Sequence, residues 1–205
     1  ADLTKRLLAF SRRQPLSPAC IKPDHLIADV ISLLSGPLAE NIRIQTQIDD
    51  SASVVYVDEA QMEDALVNLA LNAADSMEKG GSLSFEVRSF YCASREGFDE
   101  PVPAGEYVML SVKDTGTGFS DEALQKAYEP FFTTKSTGAG SGLGLSMVYG
   151  FVKQSKGYIR IRNRRAAGAA IEILLPVGTD RQCETPPQDL ERNSYAATAD
   201  ASSLV

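Results

Sequence analysis

The order of segments along this chain is compatible with an α+β domain, in which one sheet and several helices share a core. Three observations carry that reading. Short stretches that alternate apolar and polar residues, or are apolar throughout, recur between residues 42 and 175 in the manner of strands. Longer stretches of helical period stand between them. Gly- and Pro-bearing segments punctuate both kinds.

The elements follow in order. Leu3, Leu7 and Phe10 share one face of a helix over residues 2–14, which Pro15 and Pro18 end. Two readings stay open there: an ordinary amphipathic helix, or the end of a longer dimerising coil, since the pattern starts without a cap. A second helix follows Pro23, with Asp24 early and Leu26, Ile27, Val30, Ile31 and Leu34 apolar, and Gly36-Pro37 closes it. Ile42, Ile44, Thr46 and Ile48 alternate with polar residues as a strand, and 54–57 is a second short one. The helix at 59–79 has Asp58 as its cap, Gln61 as the box partner, and Met62, Leu66, Leu69, Ala73 and Met77 as its buried stripe. Gly80-Gly81 terminates it. Strands fit 83–91 and 106–113 across a polar loop at 93–105. Residues 114–142 carry glycine at 116, 118, 138, 140 and 142, too many for one regular element. A helix resumes over about 143–156, and 158–162 with 170–175 reads as a closing hairpin. From 177 to 205 the pattern gives way to Pro186-Pro187 and small polar tracts, the composition of a flexible tail or linker.

Composition narrows the function. The chain has 205 residues, 43% hydrophobic and 23% charged, the mix of a single globular domain with an arm or tail. A net charge of −7 argues against a broad nucleic-acid footprint. No apolar run approaches the roughly 18 residues that suggest a membrane span, and the amphipathic start is unlike a signal peptide. Cys20, Cys92 and Cys183 are odd in number and far apart, so neither a disulfide framework nor a four-cysteine zinc site is expected, and a reducing compartment is the default. The only histidine, His25, leaves no histidine cluster for a metal.

Four pieces carry chemistry. Asn68, Asn72 and Asp75 fall at i, i+4 and i+7 on one helical face. Such a face is either solvated or offers oxygen ligands to a hard cation beside a phosphate chain, a task that suits Mg²⁺. Asp114 to Phe119 follows a strand. It is a turn, or a place where a carboxylate meets an exocyclic amine while Gly116 and Gly118 let backbone approach a flat ring. Gly138, Gly140, Ser141, Gly142, Leu143 and Gly144 open a helix. They form a flexible loop or an anion cradle of free N–H groups. This is not a Walker A motif, because no Gly-Lys-Ser/Thr follows. Pro130, Phe131, Phe132, Thr133, Thr134 and Lys135 lie between. They are a loop tucked on the core, or an aromatic anchor for a lid whose lysine reaches a phosphate.

Each piece is ambiguous, but their order is specific. The chain resembles the catalytic and ATP-binding domain of sensor histidine kinases, within the GHKL superfamily. The N box resembles Asn68 to Met77, the G1 box Asp114 to Phe119, the F box Pro130 to Lys135, and the G2 box Gly138 to Leu145. The resemblance covers about residues 1–176. It implies a two-layer α/β sandwich of the Bergerat type, with a mixed sheet covered on one face by helices. It implies ATP and Mg²⁺ as cofactors, with Asn72 as the metal ligand and Asn68 its neighbour near the phosphates. Asp114 would bind the adenine amine, with Gly116, Gly118 and Phe119 shaping the base pocket. Gly138, Gly140, Ser141, Gly142, Leu143 and Gly144 would serve the phosphates, together with Asp75, Thr134 and Lys135. Residues 119–141 would be the ATP lid. Residues 1–18 resemble the end of a dimerisation and phosphoacceptor helix, leaving 19–176 as the catalytic domain and 177–205 as tail.

Three departures stand out. Position 75 is Asp where many of these kinases carry Lys, which leaves Lys135 as the phosphate cation. Gly168-Ala169-Ala170 stands where the family often has a Gly-Thr pair, so a hydroxyl near adenine is missing. His25 is not in an acceptor motif, so the phosphoacceptor is expected on a helical domain outside this fragment, in the same chain or a dimer mate. The resemblance further implies a response regulator or receiver domain downstream and a cytoplasmic setting. The net charge argues for no nucleic-acid partner, and the fragment itself is expected to be soluble, with a parent protein that is membrane-anchored or not. A gyrase- or mismatch-repair-type hydrolase would place a Glu at position 68 as general base. The Asn there favours transfer over hydrolysis. The four intact boxes argue against a non-catalytic nucleotide-binding module. The N-terminal helix, like the end of a phosphoacceptor domain, counts against an anti-sigma-type serine kinase.

Overall fold

The structure is a computed structural model that describes residues 16–36, 38, 41–49, 51–93, 98, 100–135 and 140–184. The helix expected at 2–14, the glycine at 138 and the tail beyond 184 lie outside the described residues.

Five strands form the main sheet: β2 (Ile42–Ile48), β4 (Gly81–Cys92), β5 (Gly105–Asp114), β6 (Tyr158–Asn163) and β7 (Ala169–Pro176). Their order is β2-β4-β5-β7-β6. β2 runs parallel to β4 and every other pair is antiparallel, so the sheet is mixed. Two short strands, β1 (Ala19–Ile21) and β3 (Val55–Val57), make a separate antiparallel ladder. Three helices carry the apolar stripes: α1 (Pro23–Leu34), α2 (Glu59–Asp75) and α4 (Gly144–Gln154). A short α3 (Asp121–Lys126) and a shorter α5 (Asp180–Glu184) complete the chain order.

One face of the sheet meets the helices. Leu83, Phe85 and Val87 of β4, Val108, Leu110 and Val112 of β5, and Ile171, Ile173 and Leu175 of β7 alternate inward. They join Leu26, Val30, Met62, Leu66, Leu69, Val148 and Val152 in one core. This is the two-layer arrangement of an α+β fold. α2 ends at Asp75, four residues before the expected limit, because Ser76 folds back: its Oγ donates to the Ala73 carbonyl at 2.7 Å. Asp58 caps the same helix, accepting from the Gln61 N–H at 3.0 Å. α3 was not expected in so glycine-rich a region; the Ser120 hydroxyl starts it by accepting from the Ala123 N–H at 3.2 Å.

Two expectations change at the C-terminal end. Residues 177–184 are not a loose tail. Val177 bridges to Val55, the Gly178 N–H donates to the Val54 carbonyl at 2.8 Å, and α5 follows. The cysteines are also not all free: Cys20 of β1 and Cys183 of α5 form a disulfide across 163 residues, while Cys92 remains a buried thiol. Pairing of this kind depends on the fold bringing both strand and helix to one edge, which spacing does not reveal.

The sheet's other face is thinner. Cys92, Val102, Tyr107, Met109 and Leu174 make a small cluster there. Beside it Glu172, only 3% exposed, accepts from Arg160 and, at 2.7 Å, from Arg162. Burial pushes the Glu172 carboxyl up, but the two guanidiniums outweigh it and hold the group below its ordinary value of 4.5. A lowered folded-state value means stability that is present above 4.5 and lost as pH falls through the folded value. Glu172→Gln is therefore expected to cost about 1–3 kcal/mol near neutral pH. The gap from the unmodified protein should close on acidification below about 4.5, as urea unfolding at several pH values would show.

Candidate functional site

The site is built along α2. Asn68 and Asn72 stand half-buried on the helix, and Asp75 is exposed at its last turn. They face the start of α4: a Cβ placed on Gly144 would sit 3.4 Å from Asn72 Nδ2 and 3.7 Å from Asn68 Oδ1. The structure thus brings the asparagine face and the glycine loop together, though they are some seventy residues apart in sequence. Lys135 reaches the same face. Its Nζ pairs with Asp75 and lies 3.4 Å from Asn72 Oδ1.

The loop before α4 is held by backbone. Gly142 has φ +65°, and a Cβ there would fall 2.3 Å from the Phe131 carbonyl carbon. The Phe131 N–H donates to the Gly142 carbonyl at 2.9 Å. Phe131 itself takes φ +69° and is 57% exposed. The aromatic anchor expected of this pair is therefore a backbone tie at Phe131, with Phe132 half-buried and Lys126 over its ring. Thr134 is exposed. Gly140 packs against Thr133 and Lys135, where a Cβ would lie 2.7 Å from Thr133 Oγ1. Ser141 Oγ accepts from the Leu143 N–H at 3.3 Å, and Leu143 is buried immediately before α4.

Asp114 ends β5 and is 7% exposed. Its Oδ1 accepts from the Gly116 N–H at 2.8 Å and the Ala169 N–H at 3.2 Å, with Ser76 Oγ 3.4 Å away. Among the described residues no protein donor reaches Oδ2. The carboxylate is oriented through one oxygen and leaves the other for an outside donor. The glycines next to it are needed first by the protein. A Cβ on Gly116 would lie 2.0 Å from Ser76 Oγ, and one on Gly118, at φ +72°, would lie 2.7 Å from Asn163 Oδ1. Phe119 is half-buried, with its backbone bonded by Asn163. Asn163 and Arg164 lie outside the matched motifs, and Ser76, inside the N box, carries no role in the sequence reading; each acts across a tertiary contact.

The two ends of the site are joined by the C-terminal half of α2. Asn68 and Asn72 lie eight and four residues before Ser76, about 12 and 6 Å along the axis. A base held at Asp114 would leave its phosphates near the asparagines and the glycine loop. The donor set also suits a hard cation held chiefly by phosphates and water. Asn72 Oδ1 already faces an ammonium, and no cluster of three His, Cys, Asp or Glu side chains fit to cage a metal occurs among the described residues.

Fold and site together are those of a GHKL-type nucleotide-binding domain. Residues 57–179, more than half of the chain, match the family described as histidine kinase-, DNA gyrase B-, and HSP90-like ATPase, and the chain belongs to that family. It is 40% identical over 201 residues to the sensor kinase CckA of Brucella abortus (strain 2308), covering 97% of this chain and 21% of that protein. It is 32% identical over 177 residues to the two-component sensor PprA of Pseudomonas aeruginosa, covering 85% of this chain and 18% of that one. This chain therefore spans about a fifth of the length of these curated relatives. Among solved structures, the catalytic domain of the histidine kinase ThkA superposes with a TM-score of 0.62 at 25% identity, over 78% of this chain and 95% of that one. ThkA in complex with the response regulator protein TrrA superposes with a TM-score of 0.66 at 23% identity, over 86% of this chain and 47% of that one.

Proposed function

We propose that this chain is the catalytic, ATP-binding part of a sensor histidine kinase, which transfers the γ-phosphoryl group of ATP to a histidine outside it. The observation that carries this is the meeting of Asn68 and Asn72 with Gly144, about 6–12 Å along α2 from Ser76, whose hydroxyl meets the oriented carboxylate of Asp114. Asp114 Oδ2 accepts from the adenine amine. The amides of the glycine loop hold the phosphate chain, and Lys135 leaves Asp75 to neutralise phosphate oxygens. Asn72 would hold a magnesium ion beside the phosphates, and the ion would supply further charge neutralisation when bound. The acceptor imidazole nitrogen forms the new bond to phosphorus as the bond to the β-phosphate oxygen breaks, and ADP leaves with that electron pair.

Asn68 supports transfer over hydrolysis. The side chain beside the phosphate end is an amide with no basicity, so nothing at that position activates a water. An imidazole brings its own lone pair. His25 is a poor acceptor: its side chain is 78% exposed on α1, where it pairs loosely with Asp24 at 3.9 Å, and α1 is packed into the domain's own core. The acceptor is better supplied by a separate helical domain, in the same chain or a dimer mate. A response regulator or receiver domain downstream is supported by the ThkA complex, whose partner is a response regulator. We place the site in the cytoplasm, where ATP is available; no helix among the described residues is long and apolar enough to cross a membrane.

Calorimetry tests the assignment. ADP should bind more tightly with Mg²⁺ than without, and Asn72→Ala should flatten that dependence by about three- to tenfold while leaving metal-free binding nearly intact. An unchanged magnesium dependence in the variant would remove Asn72 from the metal site.

A further inference from the structure

The loop from Asp114 to Phe119 is held at both ends by one turn, the link between β6 and β7. At the entry end, Arg164 Nη1 donates to the Asp114 carbonyl at 2.7 Å, and the Ala169 N–H donates to Asp114 Oδ1 at 3.2 Å. Gly168, at φ +79°, lets the turn press against that carbonyl: a Cβ there would lie 2.1 Å from Asp114 O. At the exit end, Asn163 closes a reciprocal pair. Its Oδ1 accepts from the Phe119 N–H at 2.8 Å, and its Nδ2 donates to the Phe119 carbonyl at 2.7 Å. The turn is itself fixed by the Arg164 N–H donating to the Gly168 carbonyl at 2.9 Å.

We propose that this turn backs the loop that forms the purine site, and that Asn163 and Arg164 are positioning residues that set its preference for a 6-amino purine. The inference rests on the nucleotide-binding reading above. Neither side chain need touch the base. Arg164 fixes the backbone that carries the Asp114 carboxylate. Asn163 fixes Phe119, so the five peptide bonds between the two anchors have their span set. Position 169 is Ala, and its backbone N–H, not a side chain, orients the carboxylate. A loop anchored at one end only would let Oδ2 wander, and base selection would blur before phosphate binding weakened.

The test uses the chain as it stands and three probes with Mg²⁺: ADP, inosine diphosphate, which offers a 6-oxo group, and inorganic tripolyphosphate, which has no base. Asn163→Ala and Arg164→Ala are each expected to narrow the preference for ADP over inosine diphosphate by about three- to tenfold, as loss of one or two orienting hydrogen bonds should. Tripolyphosphate binding should not change. Arg164→Lys keeps a charged donor and should retain most of the preference. The proposal is overturned if ADP and tripolyphosphate weaken together, since the turn would then be merely structural, or if the preference survives both alanine variants while Asp114→Asn abolishes it. A wild-type protein that binds both nucleotides alike would instead sink the base-site reading, and this inference with it.

Discussion

Reduction of the Cys20–Cys183 bond is expected to lower the stability of the domain by about 2–4 kcal/mol. The bond closes a loop across 163 residues, most of the chain, so opening it frees a large denatured ensemble. The native state loses little by comparison. β1 keeps its ladder with β3, and the Val55–Val177 bridge and the Gly178 N–H bond to Val54 still hold the chain as far as residue 178. Beyond that point α5 is the only element among the described residues. Five residues make barely more than one helical turn, too few to persist unaided. Reduction should therefore release α5 while the nucleotide end of the fold stays as it is. Urea unfolding with and without a dithiol reductant measures the effect, and Cys183→Ser should match the reduced protein and ignore the reductant. Equal midpoints for oxidised and reduced protein would show that the bond does not form in solution. In a reducing cytoplasm the two thiols would stand separate, and the lower value would be the working stability.

How much could be read in advance depended on the range of the interaction. Strands such as Ile42–Ile48 and helices such as Pro23–Leu34 declare themselves through period and caps within a dozen residues. β1 has three residues and exists only because β3 lies beside it, so no local pattern marks it. α3 did have a local sign, Ser120 followed by two acidic residues, overshadowed by the glycines around it. The residue types of the candidate site were legible as ordered motifs, but the reasons for some were not. Gly116 and Gly118 suggest close approach of a ligand; in the structure their missing side chains first make room for Ser76 and Asn163. Lys135 suggests a phosphate; in the structure it sits on Asp75. Asp75 and the cation of the 130–135 loop are complementary, and only the fold shows them meeting.

The largest effect on binding is expected at Asp114, and its direction is set by geometry. Asp114→Asn should lower ATP affinity by about 1.5–3 kcal/mol, roughly 10- to 150-fold, the scale of a hydrogen bond to a buried charged group. Inosine triphosphate should not suffer the same loss. Two backbone donors, Gly116 N–H and Ala169 N–H, converge on Oδ1, so an asparagine placed here keeps its carbonyl oxygen on them. Turning the amide over would set its NH₂ against both and leave buried donors unpaired. The NH₂ must then occupy the place of Oδ2. It would confront the 6-amino group of adenine donor to donor, and would donate to the 6-oxo oxygen of hypoxanthine. The expected outcome is a reversal of base preference, not a uniform weakening. Titration of both triphosphates against both proteins reads it directly. A variant that loses both nucleotides equally would mean that Asp114 serves the fold alone. One that still favours ATP would mean that the base lies elsewhere.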